Sequence, residues 1–284
     1  MAADKTNHQI KLKDGRMLGY AEYGNPEGKL VFYFHGFPSS RLDWPTFDAG
    51  VAAELNARII AVDRPGTGLS DFKRGREILD WPDDVIELAD ALQLGRFAVL
   101  GISGGGPYAA ACAFKIPGRL TATGIVCGMA PSEALRVKEG ISWFWPGKSP
   151  EERKQMLMGM AGDLDQFASG MNQAYPEGHP DSVMLNQPEL ISVFMHGLRE
   201  AFRSGIDGVE QDAALYARPW RCRLQDITAE VHLWHGELDL NVPISAGRYV
   251  ADNIPNCHAK FLPDEGHFSI IPNNIEEILI VLVA

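Results

Sequence analysis

A serine set among glycines is the first place in this chain where chemistry could be done. Ser103 lies in Gly101-Ile-Ser-Gly-Gly-Gly-Pro107, directly after the apolar run Phe97-Ala-Val-Leu100 and before the alanine-rich Tyr108-Ala-Ala-Ala-Cys-Ala-Phe114. A hydroxyl is a poor nucleophile at neutral pH, so a reactive serine needs a base beside it and a third group to orient that base. The pattern Gly101-x-Ser103-x-Gly105 supplies small neighbours that let the backbone bend sharply and lift a hydroxyl above a sheet edge. A carboxylate and an imidazole follow in the order that such an elbow requires. The carboxylate is Asp239, with Glu237 as a near rival, in Gly236-Glu-Leu-Asp-Leu-Asn-Val-Pro243; the imidazole is His267, in Asp264-Glu-Gly-His-Phe268. Together these residue types do acyl transfer: the imidazole takes the serine proton, and the carboxylate holds the ring. The oxygen that becomes negative needs N–H donors. The backbone of Gly104 and, from the loop His35-Gly-Phe-Pro38, that of Phe37 are the candidates, with His35 and Gly36 shaping that turn and Pro38 stiffening it.

These residues need a frame. Ser103 falls between a strand and a helix. Leu30 to Phe34 and Arg58 to Val62 are continuous apolar runs, the mark of strands buried on both faces. Gln9 to Lys13 and Met17 to Tyr23 flank Asp14-Gly15, a hairpin signal. Helices are expected over Trp44 to Leu55, Trp81 to Leu92, Ile244 to Asn253 and from Ile275 onward; further strands are expected over Ala122 to Cys127, Val231 to His235 and Ala259 to Leu262. Alternating strands and helices imply βαβ units and a parallel α/β sheet. Asp239 and His267 then sit in loops at the carboxyl ends of strands, where ligands bind in open parallel sheets. From about Ala130 to Pro219 there is no buried-strand run, and aromatic, charged and methionine-rich helical stretches take over. The expected organisation is a core of residues 1–129 and 220–284 with a helical cap, 130–219, inserted in it. The cap holds Met156, Met158, Met160, Met171, Met184 and Met195 together with Trp143, Phe144, Trp145 and Phe167, side chains suited to an adaptable apolar pocket or to the cap's own core. Gly36, Trp143 and Phe144 are the candidate substrate-contacting residues.

Other classes of function fit poorly. Gly104-x-Gly106-x-x-Ala109 matches a dinucleotide-binding fingerprint, which wants an acidic residue roughly 20 positions later, but residues 117–132 contain no Asp or Glu. A formal net charge of −11, with no basic cluster longer than Lys73-Arg-Gly-Arg76, argues against a nucleic-acid surface. The polar start of the chain shows no secretory signal, and the apolar run Ile278 to Ala284 is too short to span a bilayer. Cys112, Cys127, Cys222 and Cys257 are widely spaced and form no Cys-x-x-Cys pair, so a reduced, cytoplasmic protein is expected. No metal or organic cofactor is implied, and the expected partner is a small-molecule substrate.

The blocks His35-Gly-Phe-Pro38, Asp63-Arg-Pro-Gly-Thr-Gly-Leu-Ser70, Gly101-Ile-Ser-Gly-Gly-Gly-Pro107, His235-Gly-Glu-Leu-Asp239 and Gly266-His267, in that order, resemble the α/β-hydrolase superfamily, and within it serine hydrolases with an inserted helical cap. The resemblance implies an eight-stranded, mostly parallel sheet with helices on both faces. Its His-Gly-x-x-Asp block favours Asp239 over Glu237. Serine at the elbow disfavours the epoxide hydrolase and haloalkane dehalogenase branches, which carry Asp there. The Asp-Arg-Pro-Gly loop is similar to proline-iminopeptidase-like sequences, although those have Trp where this chain has Gly104. The expected activity is hydrolysis of a small or medium, largely apolar ester, lactone or thioester. Aminopeptidase action, carbon–carbon bond hydrolysis, perhydrolysis, or a receptor that retains the three residues stand as alternatives.

Overall fold

The computed structural model describes residues 5–48, 50–132 and 148–284. Eight strands form one sheet: β1 (His8–Lys11), β2 (Met17–Gly24), β3 (Lys29–Phe34), β4 (Ala57–Val62), β5 (Phe97–Ile102), β6 (Leu120–Val126), β7 (Val231–Gly236) and β8 (Cys257–Leu262). Their order is β1-β2-β4-β3-β5-β6-β7-β8. β2 runs antiparallel to both β1 and β4, while every pair from β4 to β8 is parallel. The sheet is therefore eight-stranded and mostly parallel, as the resemblance implies.

Alternation along each central strand makes two apolar layers. Val31 and Tyr33 of β3 face one side with Ile59, Ala61, Ala98 and Leu100, against α1 (Val51–Glu54) and α10 (Ile270–Leu282). Phe32 and Phe34 face the other with Ile60, Val62 and Val99, against α2 (Trp81–Ala91), α3 (Gly106–Lys115) and α9 (Ile244–Asn253). All six residues of β5 are buried, which fixes the strand that carries Ser103. α2 shows why such helices form where they do: Pro82 opens it, Asp83 and Asp84 sit in its positive first turn, and Trp81, Val85, Leu88 and Ala89 make its buried face.

Two helix expectations are corrected. Residues 44–55 do not form one helix but a 3₁₀ turn, Trp44–Thr46, and the single turn α1. Asp48 breaks the run: its carboxylate accepts from the Trp44 indole and from the N–H groups of Gly50 and Ala52, and Gly50 takes a left-handed φ of 102°. The last helix begins at Ile270, earlier than Ile275; Pro272 does not prevent this, since it falls in the first turn, where no backbone donor is needed.

Between β6 and β7, which are neighbours in the sheet, the chain leaves to form α4 (Pro150–Gly162), α5 (Leu164–Gln173), α6 (Pro180–Leu185), α7 (Pro188–Ala201) and α8 (Asp207–Tyr216). α4 starts with a reciprocal cap: Ser149 Oγ accepts from the Glu152 N–H, and the Glu152 carboxylate accepts from the Ser149 N–H at 2.7 Å.

Candidate active site

The turn after β5 is built around close approach. Ser103 has φ of 52°, a left-handed conformation unusual for a residue with a side chain. A Cβ on Gly105 would lie 2.1 Å from the Phe34 carbonyl oxygen, and one on Gly101 would lie 2.3 Å from that of Gly105. Only glycine lets the elbow press this tightly against β3 and itself. The strain is held in place by the fully buried strand before it and the buried helix after it.

Three loops then meet. His267 Nε2 is 3.0 Å from Ser103 Oγ, and His267 Nδ1 is 2.8 Å from Asp239 Oδ2. All three side chains are buried. The other Asp239 oxygen, Oδ1, accepts from the N–H groups of Asn241 and Val242, both at 2.8 Å. The Val242 carbonyl accepts in turn from His235 Nε2 at 2.8 Å. Burial lowers the His235 pKa, so its neutral ring braces the acid loop from behind. Burial alone would also lower the pKa of His267, but the Asp239 carboxylate overrides this and holds it well above the usual imidazole range. Glu237 is not at the site: it pairs with Arg248 at the surface.

The backbone donors are aimed by what holds the neighbouring carbonyls. The Gly36 carbonyl accepts from His35 Nδ1 at 2.9 Å and from the Arg64 guanidinium at 2.8 Å. Across a trans peptide the next N–H points the opposite way, so the Phe37 N–H is directed away from Arg64. The Ser103 carbonyl likewise accepts from the Met129 N–H, turning the Gly104 N–H the other way. The two segments touch: a Cβ on Gly104 would lie 2.6 Å from that of Phe37. Arg64 is locked by the buried carboxylate of Asp212 on α8, which also accepts from Arg76 and from the Tyr108 hydroxyl. Burial would raise the Asp212 pKa, but Arg64 and Arg76 hold it well below the usual carboxylate range.

Beside Ser103 and His267 opens a cavity of about 570 Å³, lined largely by apolar side chains, among them Phe37, Met156, Met160, Phe167, Met171 and Phe194. Gly36 lines it as well. Of the methionines read from the sequence, Met195 is buried in packing and Met158 is exposed, so the side chains of these helices divide between lining, core and surface. Trp143, Phe144 and Trp145 lie outside the described residues. Besides Ser103 and His267 the polar lining residues are Ser39, Asp43, Tyr175 and Asn241, of which the last two bond to each other at 2.8 Å. Among the described residues, the group with ligand atoms close enough to share a metal ion is Cys127, Asp239 and His267, within 4.8 Å of one another, and two of its members are engaged in the chain of bonds to Ser103.

One residue of the site was missed in the sequence. Asp181, in the first turn of α6 and fully buried, accepts from the N–H groups of His267, Phe268 and Ser269 at 2.8, 2.7 and 3.0 Å. A Cβ on Gly266 would sit 2.4 Å from both its oxygens, which explains the glycine before the histidine. The signal available was His179-Pro-Asp181, a helix start whose acid reads as a local cap. Nothing local points to a loop 86 positions away.

A sheet with one antiparallel second strand, a strained serine after its fifth strand, and an acid and a histidine after its seventh and eighth define an α/β hydrolase framework. The family model described as "Alpha/beta hydrolase family" matches residues 31–278, and the chain belongs to that family. A curated relative, the bifunctional esterase/perhydrolase DCH of Acinetobacter calcoaceticus, is 23% identical over 256 residues, which cover 87% of this chain and 88% of the relative. Among solved structures, a hydrolase from Pseudomonas aeruginosa superposes with a TM-score of 0.76 at 23% identity, covering all of both chains. An esterase from Exiguobacterium antarcticum superposes with a TM-score of 0.74 at 20% identity, over 98% of this chain and 99% of its own. Among the described residues, no helix is long and apolar enough to cross a membrane.

Proposed function

We propose that this protein is a serine hydrolase that cleaves small or medium, largely apolar esters or lactones through an acyl-enzyme on Ser103. The observation that carries this reading is the chain of bonds from Asp239 through His267 to Ser103, at 2.8 and 3.0 Å, opening onto an apolar cavity. In the first half-reaction, Ser103 Oγ attacks the carbonyl carbon as its proton passes to His267 Nε2. The oxygen that turns negative is met by the N–H groups of Phe37 and Gly104, and Asp239 stabilises the imidazolium. Collapse of the tetrahedral intermediate breaks the bond to the leaving alcohol, which takes the proton from His267. Water, deprotonated by the same ring, then attacks the acyl carbon and returns Ser103 to its hydroxyl form.

The helices between β6 and β7 act as a cap in this reading, since α4, α5 and α7 bring Met156, Met160, Phe167, Met171 and Phe194 over the serine. An apolar lining favours acyl chains that leave water on entering, by roughly 0.8 kcal/mol for each buried methylene. The esterase in the name of the Acinetobacter relative is in keeping with this chemistry. The test is labelling with a fluorophosphonate, peptide mapping, and assay of p-nitrophenyl esters with wild type and Ser103→Ala. Label on Ser103 and loss of turnover in the variant are expected; label elsewhere, or unchanged turnover, defeats the assignment.

A further inference from the structure

Two polar side chains line the cavity, keep exposed surface and take no part in the reaction above. They are Tyr175, between α5 and α6, and Asn241, two residues beyond Asp239; both are half-buried, whereas Ser39 and Asp43 are almost wholly covered. The Tyr175 hydroxyl donates to Asn241 Oδ1 at 2.8 Å. That bond fixes which way the amide lies: its oxygen is engaged, and its nitrogen, with two N–H donors, bonds to no partner among the described residues. Unlike His235 Nδ1, which is buried with no partner, this nitrogen keeps accessible surface.

Strand order decides which part of a substrate would meet this pair. Along the carboxyl edge of the sheet, Phe37 follows β3, Ser103 follows β5, and the acid and histidine loops follow β7 and β8. Ser103 thus has the Phe37 N–H on one side and His267 with Asn241 on the other. A leaving oxygen must come within hydrogen-bond reach of His267 Nε2 to take its proton, so the alcohol half of an ester extends toward the β7–β8 side. The pair is tied to that ring twice. The Asn241 N–H donates to the Asp239 carboxylate that holds it, and Tyr175 packs edge-on against Phe268, whose own ring packs edge-on against His267. Burial first, and then the Asp181 and Asp239 carboxylates, raise the Tyr175 pKa, so its hydroxyl keeps the proton it donates to Asn241. An anion is disfavoured beside those two carboxylates, and an ammonium would meet the amide N–H groups head-on. A neutral oxygen suits them.

Resting on the hydrolase reading, we propose that Asn241, oriented by Tyr175, forms a leaving-group subsite that donates a hydrogen bond to a neutral acceptor oxygen in the alcohol half of the substrate. Preferred substrates are then esters that join an apolar acyl chain to an alcohol carrying an ether or carbonyl oxygen a few atoms beyond the bond cleaved. The probes are unreactive butanamides, and their affinities for the Ser103→Ala protein are measured by calorimetry. N-pentyl butanamide is compared with counterparts in which oxygen replaces the third or the fourth carbon of the pentyl chain, and the ratio of ether to alkyl affinity is taken. Adding Asn241→Leu should lower that ratio roughly fivefold at the better position, the worth of one neutral hydrogen bond. Tyr175→Phe, which frees the amide to turn, should lower it by less. A mirrored series with the oxygen in the acyl chain should show no change on Asn241→Leu. Each ratio is taken within one variant, so partial misfolding does not distort it. A ratio that Asn241→Leu leaves unmoved, an equal fall in the acyl series, or tighter binding of an ammonium-ended chain than of the ether overturns the proposal. Turnover of pentyl butanoate by the wild type is measured alongside. Turnover with an unmoved ratio removes the subsite and keeps the hydrolase, whereas a falling ratio without turnover sinks the hydrolase reading and leaves the acceptor site standing.

Discussion

Replacing Asp181 by alanine should cripple catalysis from a residue outside the cavity lining. Its carboxylate accepts three backbone N–H groups of the loop carrying His267, at 2.7 to 3.0 Å and away from water. Each donor left buried without an acceptor costs roughly 1–3 kcal/mol, and water entering the space vacated by the carboxylate recovers part of that. A net loss of about 3 kcal/mol in stability is the expectation. Freed from this clamp, the loop relaxes and the 3.0 Å contact from His267 to Ser103 lengthens. Misplacement of a reacting group by an ångström costs on the order of 100-fold in rate. The assay is steady-state ester hydrolysis with urea unfolding on the same preparations. The rate constant kcat should fall roughly 10- to 100-fold while KM stays near the wild-type value. Asp181→Asn, which keeps one acceptor oxygen, should fall between the two and provides a variant if alanine does not fold. Loss of less than about 1 kcal/mol with kcat unchanged would refute the clamp, as would a change confined to KM.

Further expectations concern the carboxylates around the site. Because Asp239 raises the His267 pKa, the free-base ring needed for catalysis is lost as pH falls, and the acid limb of kcat/KM should lie above the ordinary imidazole value; Asp239→Asn should shift that limb downward and lower kcat by roughly 1,000-fold or more, checked by pH–rate profiles of both proteins. Asp212→Asn leaves the Arg64 and Arg76 guanidinium groups buried without their counter-charge and should cost about 3–5 kcal/mol, read from urea midpoints by circular dichroism. For Asp43 the folded pKa is raised, so the native state keeps a proton that the unfolded chain releases above about pH 4, and stability falls between there and about pH 7. Asp43→Asn should thus be more stable than wild type at pH 8, by up to roughly 4 kcal/mol, and nearly equal to it at pH 4. Equal unfolding midpoints at pH 8 would contradict this.

What could be read from the sequence was what local pattern encodes. The run Phe97 to Ile102 stops at glycines because the strand ends and the elbow begins there, and the strands behind His235 and before His267 are apolar enough to be seen. Order along the chain then placed serine, acid and histidine at one sheet edge. Pattern failed where a side chain competed with the backbone, as Asp48 does in breaking the helix expected over 44–55. It failed again where the partner is distant: Asp181 and Asp43 each look like helix-start acids, and only the folded chain shows one reaching the His267 loop and the other facing a cavity. Arg64 was legible as part of a turn-rich motif, but its bonds to the carbonyls of His35 and Gly36 were not.

The helices between β6 and β7 are riveted to the rest of the chain by three acids, Asp212 to the arginine behind the Phe37 loop, Asp181 to the backbone around His267 and Glu200 to the buried Arg41. Grafting a foreign set of helices here to change which molecules enter would therefore fail unless all three rivets travelled with the graft. α4 and α5, whose side chains line the cavity, are the part an engineer can change most readily, and α6, α7 and α8 are the part that must be kept.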